Sequence, residues 1–258
     1  MKPSGVPQEP MCRIFALKAN NRVDLTFSVN TATDEEQKPI CRGLGWYTKE
    51  GPALQKGQLA AAASAEPISV GMNSRVVLSH MGLCDTPAGS EKDCQPFIYK
   101  QWMFAHDGTL NNAALLHEKL VAKRQASIGG DSSHEIFFHY IVQCIREHDL
   151  EAVDGIRTAM RRTEIDGGTR NFVLTNLNTL YAFRDAAPAS LYYLERPEGQ
   201  PFSLRGQEMQ TLHESQGLAA EQSVVVASEP LTDDAWKEIP EGYLLVVPNG
   251  LECQLVKI

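Results

Sequence analysis

The chain has 258 residues, 43% of them hydrophobic and 22% charged, and carries a net charge of −8. That composition is globular, and the length allows a sizeable core, so disordered and fibrous classes are excluded. The acidic balance, with no basic stripe, excludes a nucleic-acid partner, and no apolar run approaches the roughly 18 residues of a membrane span.

Residues 1–10 hold three prolines and little to bury, which reads as a disordered or removed extension and not as a secretory signal. Residues 11–258 read as one domain, without internal repeat or linker. Ile14 to Leu17 reads as a first strand, and Asp24 to Val29 as a short strand or a turn of helix. Residues 31–39 read as a solvated loop, 43–47 as a Gly-punctuated strand with a turn at 49–52, and Leu59 to Ala65 as a short helix stopped by Pro67. Arg75 to His80 is a β-rich run, and Asp85 to Asp93 a polar loop.

Trp102 to His106 is a second core strand, ending at Asp107-Gly108-Thr109. Apolar positions at 110, 115, 116 and 120 predict a helix over 110–123. Ser132 or Ser133 caps a second helix, from His134 to about Arg146, and a third runs from Leu150 to Arg162. Strands follow at 171–175, 179–184 and 191–194, then a polar loop over 195–220. Val224 to Ala227 is a buried strand, 233–237 one helical turn, and 243–247 and 252–256 closing strands. Strands, a block of helices, then strands predict a layered α+β fold.

Six cysteines at 12, 41, 84, 94, 144 and 253 have neither zinc-ribbon nor disulfide-framework spacing, which places the chain in a reducing, cytoplasmic compartment. His80, Cys84, Cys94 and His106 lack finger spacing, so no metal or other cofactor is implied. Cys12 is ordinarily a small core residue, but it gains chemistry if processing makes it the first residue. It then carries a thiol nucleophile and, on the same residue, an α-amine of pKa about 8 that can act as base. Removal of residues 1–11, or initiation at Met11 followed by methionine removal, would expose it.

The pieces Met-Cys-Arg-x-Phe-Ala-Leu (11–17), Gly-Leu-Gly-Trp-Tyr (43–47), the strand ending at His80, and Cys-Gln-Pro-Phe (94–97) come first in a longer series. Trp-Met-Phe-Ala-His-Asp-Gly (102–108), Gly-Asp-Ser (130–132) with Glu135, Asn-Phe-Val-Leu-Thr (171–175), and Ala-Ser-Glu-Pro-Leu-Thr (227–232) with Trp236 complete it. Together, in this order, they resemble the small stand-alone branch of the class II glutamine amidotransferases. That resemblance implies a four-layer α-β-β-α sandwich of the N-terminal-nucleophile hydrolase type.

It also implies a cysteine amidase that forms a thioester with glutamine or a γ-glutamyl-type amide. Cys12 falls at the nucleophile and Gly108 at one backbone oxyanion donor. The family's second donor is Asn in a His-Asn-Gly turn, where this chain has His106-Asp107-Gly108. An ionised Asp107 would repel an oxyanion unless protonated. Two residues after His80, where the family has an Arg for the substrate carboxylate, stands Gly82. Ser133 occupies the place of the ammonium-binding Asp, with Asp131 nearby. Arg13, Arg75 and Arg170 are the substitutes considered for the missing guanidinium. The implied partners are a small-molecule amide and a separate synthase or acceptor protein. The competing expectation is a catalytically degenerate relative that keeps the fold for binding.

Overall fold

The structure, a computed structural model, describes residues 13–29, 40–59, 68–83, 90–163, 168–186, 189–200, 204–205, 210–212 and 216–258. Residues 1–12, the loop expected at 31–39, nearly all of the helix expected at 59–65, and residues 85–89 of the polar loop lie outside them. In chain order the strands begin with β1 (Arg13–Val29), β2 (Ile40–Tyr47), β3 (Pro52–Leu59), β4 (Ile68–Leu83), β5 (Phe97–Tyr99) and β6 (Trp102–Gly108). Helices α1 (Ala113–Lys119), α2 (Ala122–Gln125), α3 (Ser133–Glu147) and α4 (Ala152–Arg162) follow. The chain continues with β7 (Arg170–Thr175), β8 (Leu180–Arg184), β9 (Tyr192–Arg196), β10 (Leu204–Arg205), β11 (Gln210–Leu212) and α5 (Gln216–Ala219). It closes with β12 (Ser223–Ala227), β13 (Lys237–Glu238), β14 (Tyr243–Val247) and β15 (Gln254–Lys257).

Two antiparallel sheets face one another. The first runs β13-β9-β12-β1-β4-β2-β3, with β11 and β10 added at the far end of β1, and the second runs β15-β14-β8-β7-β6-β5. Strand alternation sorts the side chains. Ile14 and Ala16 of β1 and Leu78 of β4 pack between the sheets against Met103, Ala105 and Val173 of the second sheet. Phe15 and Leu17, with Val77 and Met81, face the other way, under Leu218 of α5. The second sheet turns Phe104, Phe172 and Phe183 to the α3 and α4 side chains Phe137, Ile141 and Ile156. The result is an α+β sandwich with helices outside the sheets, as expected.

Two polar side chains tie the sheets together. Tyr47 donates to the carbonyls of Gln101 (2.8 Å) and Thr175 (2.9 Å). Fully buried Lys18 donates to the carbonyls of Leu177 and Asn178, at the β7–β8 turn, and to Asn249. Burial, and secondarily Arg75, pulls its ammonium down to about 8. Close approach also needs Gly45, since a Cβ there would lie 2.4 Å from Met103 Sδ.

Several expectations are corrected. The segment 24–29 is neither a separate strand nor helix but the continuation of β1 past a register shift between Lys18 and Val23. β3 was missed, and β9, β10, β11 and α5 occupy parts of the expected loop 195–220. The helix expected at 110–123 breaks at Leu120 and Val121, where Gln143 bonds the Lys119 carbonyl and the Val121 N–H. The turn expected at 233–237 is not helical: Thr232 bonds Asp234 and accepts from Trp236 Nε1, and Lys237 and Glu238 then form β13 against β9. No helix among the described residues is long and apolar enough to cross a membrane.

Candidate active site

Of the residues expected at the site, His80 and Asp107 lie nearest the start of β1. Ile14 is paired with His80, and His80 with Gly43, so His80 lies on the inter-sheet face. Gly43 has to be glycine here, because a Cβ would meet the Gln95 carbonyl oxygen at 2.2 Å. Gly82 is paired with Cys41, on the same face of β4 as His80. Cys12 lies outside the described residues.

Across the gap, β6 alternates in the same way. His106 points to the helical layer, where it stacks on Phe104 and meets Phe137 edge-on. Asp107 points back toward the first sheet, where Ser228 Oγ lies 3.5 Å from its Oδ2. That hydroxyl accepts the Ile14 N–H at 2.9 Å, and the Ser228 N–H bonds the Ile14 carbonyl. One serine thus joins the start of β1 to the Asp107 carboxylate, with its own proton toward Asp107. Gly108 has φ +154°, and a Cβ would sit 1.8 Å from the Thr169 carbonyl oxygen, so the turn leaves room for glycine alone.

Gln95 connects the two sheets. Its Oε1 accepts the His106 N–H at 2.6 Å, and its Nε2 donates to the His106 carbonyl at 2.9 Å and to His80 Nε2 at 3.2 Å. It therefore extends the β5–β6 ladder with a side chain. His80 and His106 are both buried. Burial first, and the neighbouring His134 second, push His80 down to about 3 and hold His106 well below its ordinary value. Both are neutral frame residues at neutral pH.

The remaining expected residues lie in the loop before α3 and at its start. The Glu135 carboxylate accepts the N–H groups of Gly129 and Gly130, each at 3.0 Å, and Asp93 accepts that of Asp131 at 2.8 Å. Burial raises the Glu135 pKa against the pull of those two donors. Ser132, not Ser133, is the N-cap, accepting the His134 N–H. Ser133 opens the helix half-buried, and Asp131 is exposed. His134 reaches His106, Nδ1 to Nδ1, at 2.6 Å.

The arginines considered as substitutes are placed elsewhere. Arg170 holds Asp185 with two nitrogens and bonds Met160 and Thr163 with the third. Arg13 pairs with Glu229, and Arg75 contacts Asn249. Sequence reasoning assigned no role to Gln95, His134 or Ser228. The Gln95-Pro96 dipeptide and Ser228 sit inside recognised motifs, but nothing in their spacing revealed their partners. His134 was visible only as a helix-start residue.

These features define an α+β sandwich with a glycine turn at the end of β6 and a serine bridge to the start of β1. The chain belongs to the class II glutamine amidotransferases, whose family profile matches residues 11–257. An uncharacterised protein of Methanocaldococcus jannaschii is 24% identical over 93% of this chain and 70% of its own length. A predicted glutamine amidotransferase of Pseudomonas aeruginosa superposes with a TM-score of 0.74, at 18% identity, over 96% of this chain and all of its own. Glutamine phosphoribosylpyrophosphate amidotransferase of B. subtilis gives 0.57, at 15% identity, over 95% of this chain and 49% of its own.

Proposed function

We propose that this chain is a cysteine amidase that hydrolyses glutamine or a γ-glutamyl-type amide through a thioester on Cys12. The observation that carries this reading is the Ser228 bridge, which brings the start of β1 to the Asp107–Gly108 turn in a chain of this family. With Cys12 at the N-terminus, its α-amine takes the thiol proton and the thiolate attacks the amide carbon. The C–S bond forms, the C–N bond breaks, and the proton passes to the leaving ammonia. Water then cleaves the thioester and releases the acid. The Gly108 N–H serves the oxyanion, a role in which one donor is worth roughly 3–4 kcal/mol. His80 and His106 frame the pocket, and Gly82, Asp131 and Ser133 line its substrate end. The ammonia goes to a separate synthase or acceptor protein. We place the protein in the cytoplasm, a reading supported by six cysteines whose spacing forms no disulfide framework.

A second reading, a catalytically degenerate relative, is favoured by Asp107, which accepts from Ser228 where the family presents a donor. Intact-mass measurement of the mature chain separates the two first. A chain that does not begin at Cys12 rules out the thioester route for that form. In a chain that does, diazo-oxo-norleucine should modify Cys12 and ammonia should appear from a panel of γ-glutamyl amides. Neither adduct nor ammonia leaves the degenerate reading standing. The Gly82→Arg/Asp107→Asn double variant is expected to gain glutaminase activity if the frame is intact.

A further inference from the structure

We infer that His106 and His134 form a positioning pair that fixes the Asp107–Gly108 turn against the loop ahead of α3, a role that rests on the amidase reading above. Hydrogen-bond chemistry assigns their protons. His106 Nε2 lies 3.2 Å from the Thr169 carbonyl oxygen, which can only accept, so Nε2 carries the hydrogen. Neutral His106 then presents a lone pair at Nδ1. At 2.6 Å from it, His134 Nδ1 must be the donor.

The pair acts on the turn through one atom. The Thr169 carbonyl oxygen that receives the His106 proton is also the atom packed on Gly108, 1.8 Å from where a Cβ would be. A swing of the His106 ring therefore shifts the carbonyl that shapes the turn. The His106 main chain cannot follow freely, because Gln95 holds both its N–H and its carbonyl. His134 is anchored in turn by the Ser132 cap. The bond thus joins the residue just before Asp107 to the residue just after Ser133.

The test uses the full chain matured to begin at Cys12. Asn places a donor near the position of Nδ1, so His134→Asn is expected to keep kcat within about threefold, whereas His134→Leu lowers it by about thirtyfold or more. KM stays within about threefold in both, and alkylation of Cys12 by iodoacetamide, which uses no oxyanion donor, within about twofold. An unchanged kcat in His134→Leu overturns the inference. So does an equal fall in His134→Asn, or a loss carried by KM. If His134→Leu does not fold, His134→Ser takes its place with the same expected loss. If the wild type releases no ammonia from any amide, the amidase reading fails and the inference is read from amide hydrogen exchange over 103–109. Exchange about tenfold faster in the Leu variant but not in the Asn variant supports the pairing, and equal exchange in both overturns it.

Discussion

Acidification should unfold this protein partly through His80, and the size of the effect follows from its burial. The imidazole is 2% exposed and accepts from Gln95 Nε2, and its pKa falls from an ordinary value near 6.5 to about 3. Between those values the unfolded chain binds the proton and the folded chain does not. Stability therefore falls as pH falls, by about 1.4 kcal/mol per pH unit below 6.5, and is unaffected above 7. At pH 5 the loss is about 2 kcal/mol, and at pH 4 about 3 kcal/mol, against a total stability on the order of 10 kcal/mol. His80→Gln keeps an acceptor for Gln95 and cannot titrate. Urea unfolding followed by tryptophan fluorescence, at pH 7 and pH 5, gives four stabilities. The wild type should lose about 2 kcal/mol more than the variant over that interval. Comparing the two proteins cancels the contribution of His106 and the easing of the net charge of −8, which are common to both. Equal losses, within about 0.5 kcal/mol, would refute the assignment of His80 as a neutral, buried acceptor.

Gly108→Ala forces a Cβ onto the Thr169 carbonyl in a backbone conformation that side chains rarely adopt, and should cost about 3 kcal/mol or more by urea unfolding. Glu135→Gln replaces one of two acceptors with a donor facing the Gly129 or Gly130 N–H; a loss of about 1–3 kcal/mol and faster amide exchange over 129–133 are expected. Gly43→Ala pushes on the Gln95 carbonyl and should raise the pKa of His80 by loosening its enclosure, a shift that NMR titration of its ring protons would detect.

The parts of the fold written in local pattern were legible. The α3 face Phe137, Tyr140, Ile141 and Cys144, its serine cap, and the apolar runs of β6, β7 and β12 all follow from neighbours in sequence. β1 was only half visible because Asn20, Asn21 and Arg22 interrupt its apolar pattern at the register shift, and its pairing to β4 resumes only at Val23. β3 was hidden by Pro52 and Gly57, both tolerated in a strand that, among the described residues, pairs with β2 alone. At the site, the glycine turn and the candidate positions could be read from their motif. The links among them could not: Gln95 meets His80 from a different sheet, and Ser228 reaches Asp107 from 121 residues away. Such contacts depend on which face each strand presents after the sheets close, a property of register and not of spacing.

That same alternation predicts that a glutamine pocket would need two changes together. Arg13, Met81 and Arg42 form one cross-strand row, and Met81 packs on the face away from the second sheet. Both guanidiniums therefore start from the wrong face of the sheet to meet a substrate between the sheets. Arg170 of β7 shares the helical face of Phe172 and is spent on Asp185 and three further acceptors. Position 82 falls on the His80 face, so an arginine there begins on the correct side to hold a carboxylate bidentately. Added alone, it would enter a site whose turn presents the Asp107 carboxylate, and an ion pair with that group would compete with the substrate. Asp107→Asn removes the competitor and supplies an amide donor beside the Gly108 N–H. Ser228 can still donate to the new amide oxygen, so the start of β1 keeps its bridge. The double variant should therefore exceed the sum of the single variants in glutaminase kcat/KM, and additive or null behaviour would place the block outside these two positions.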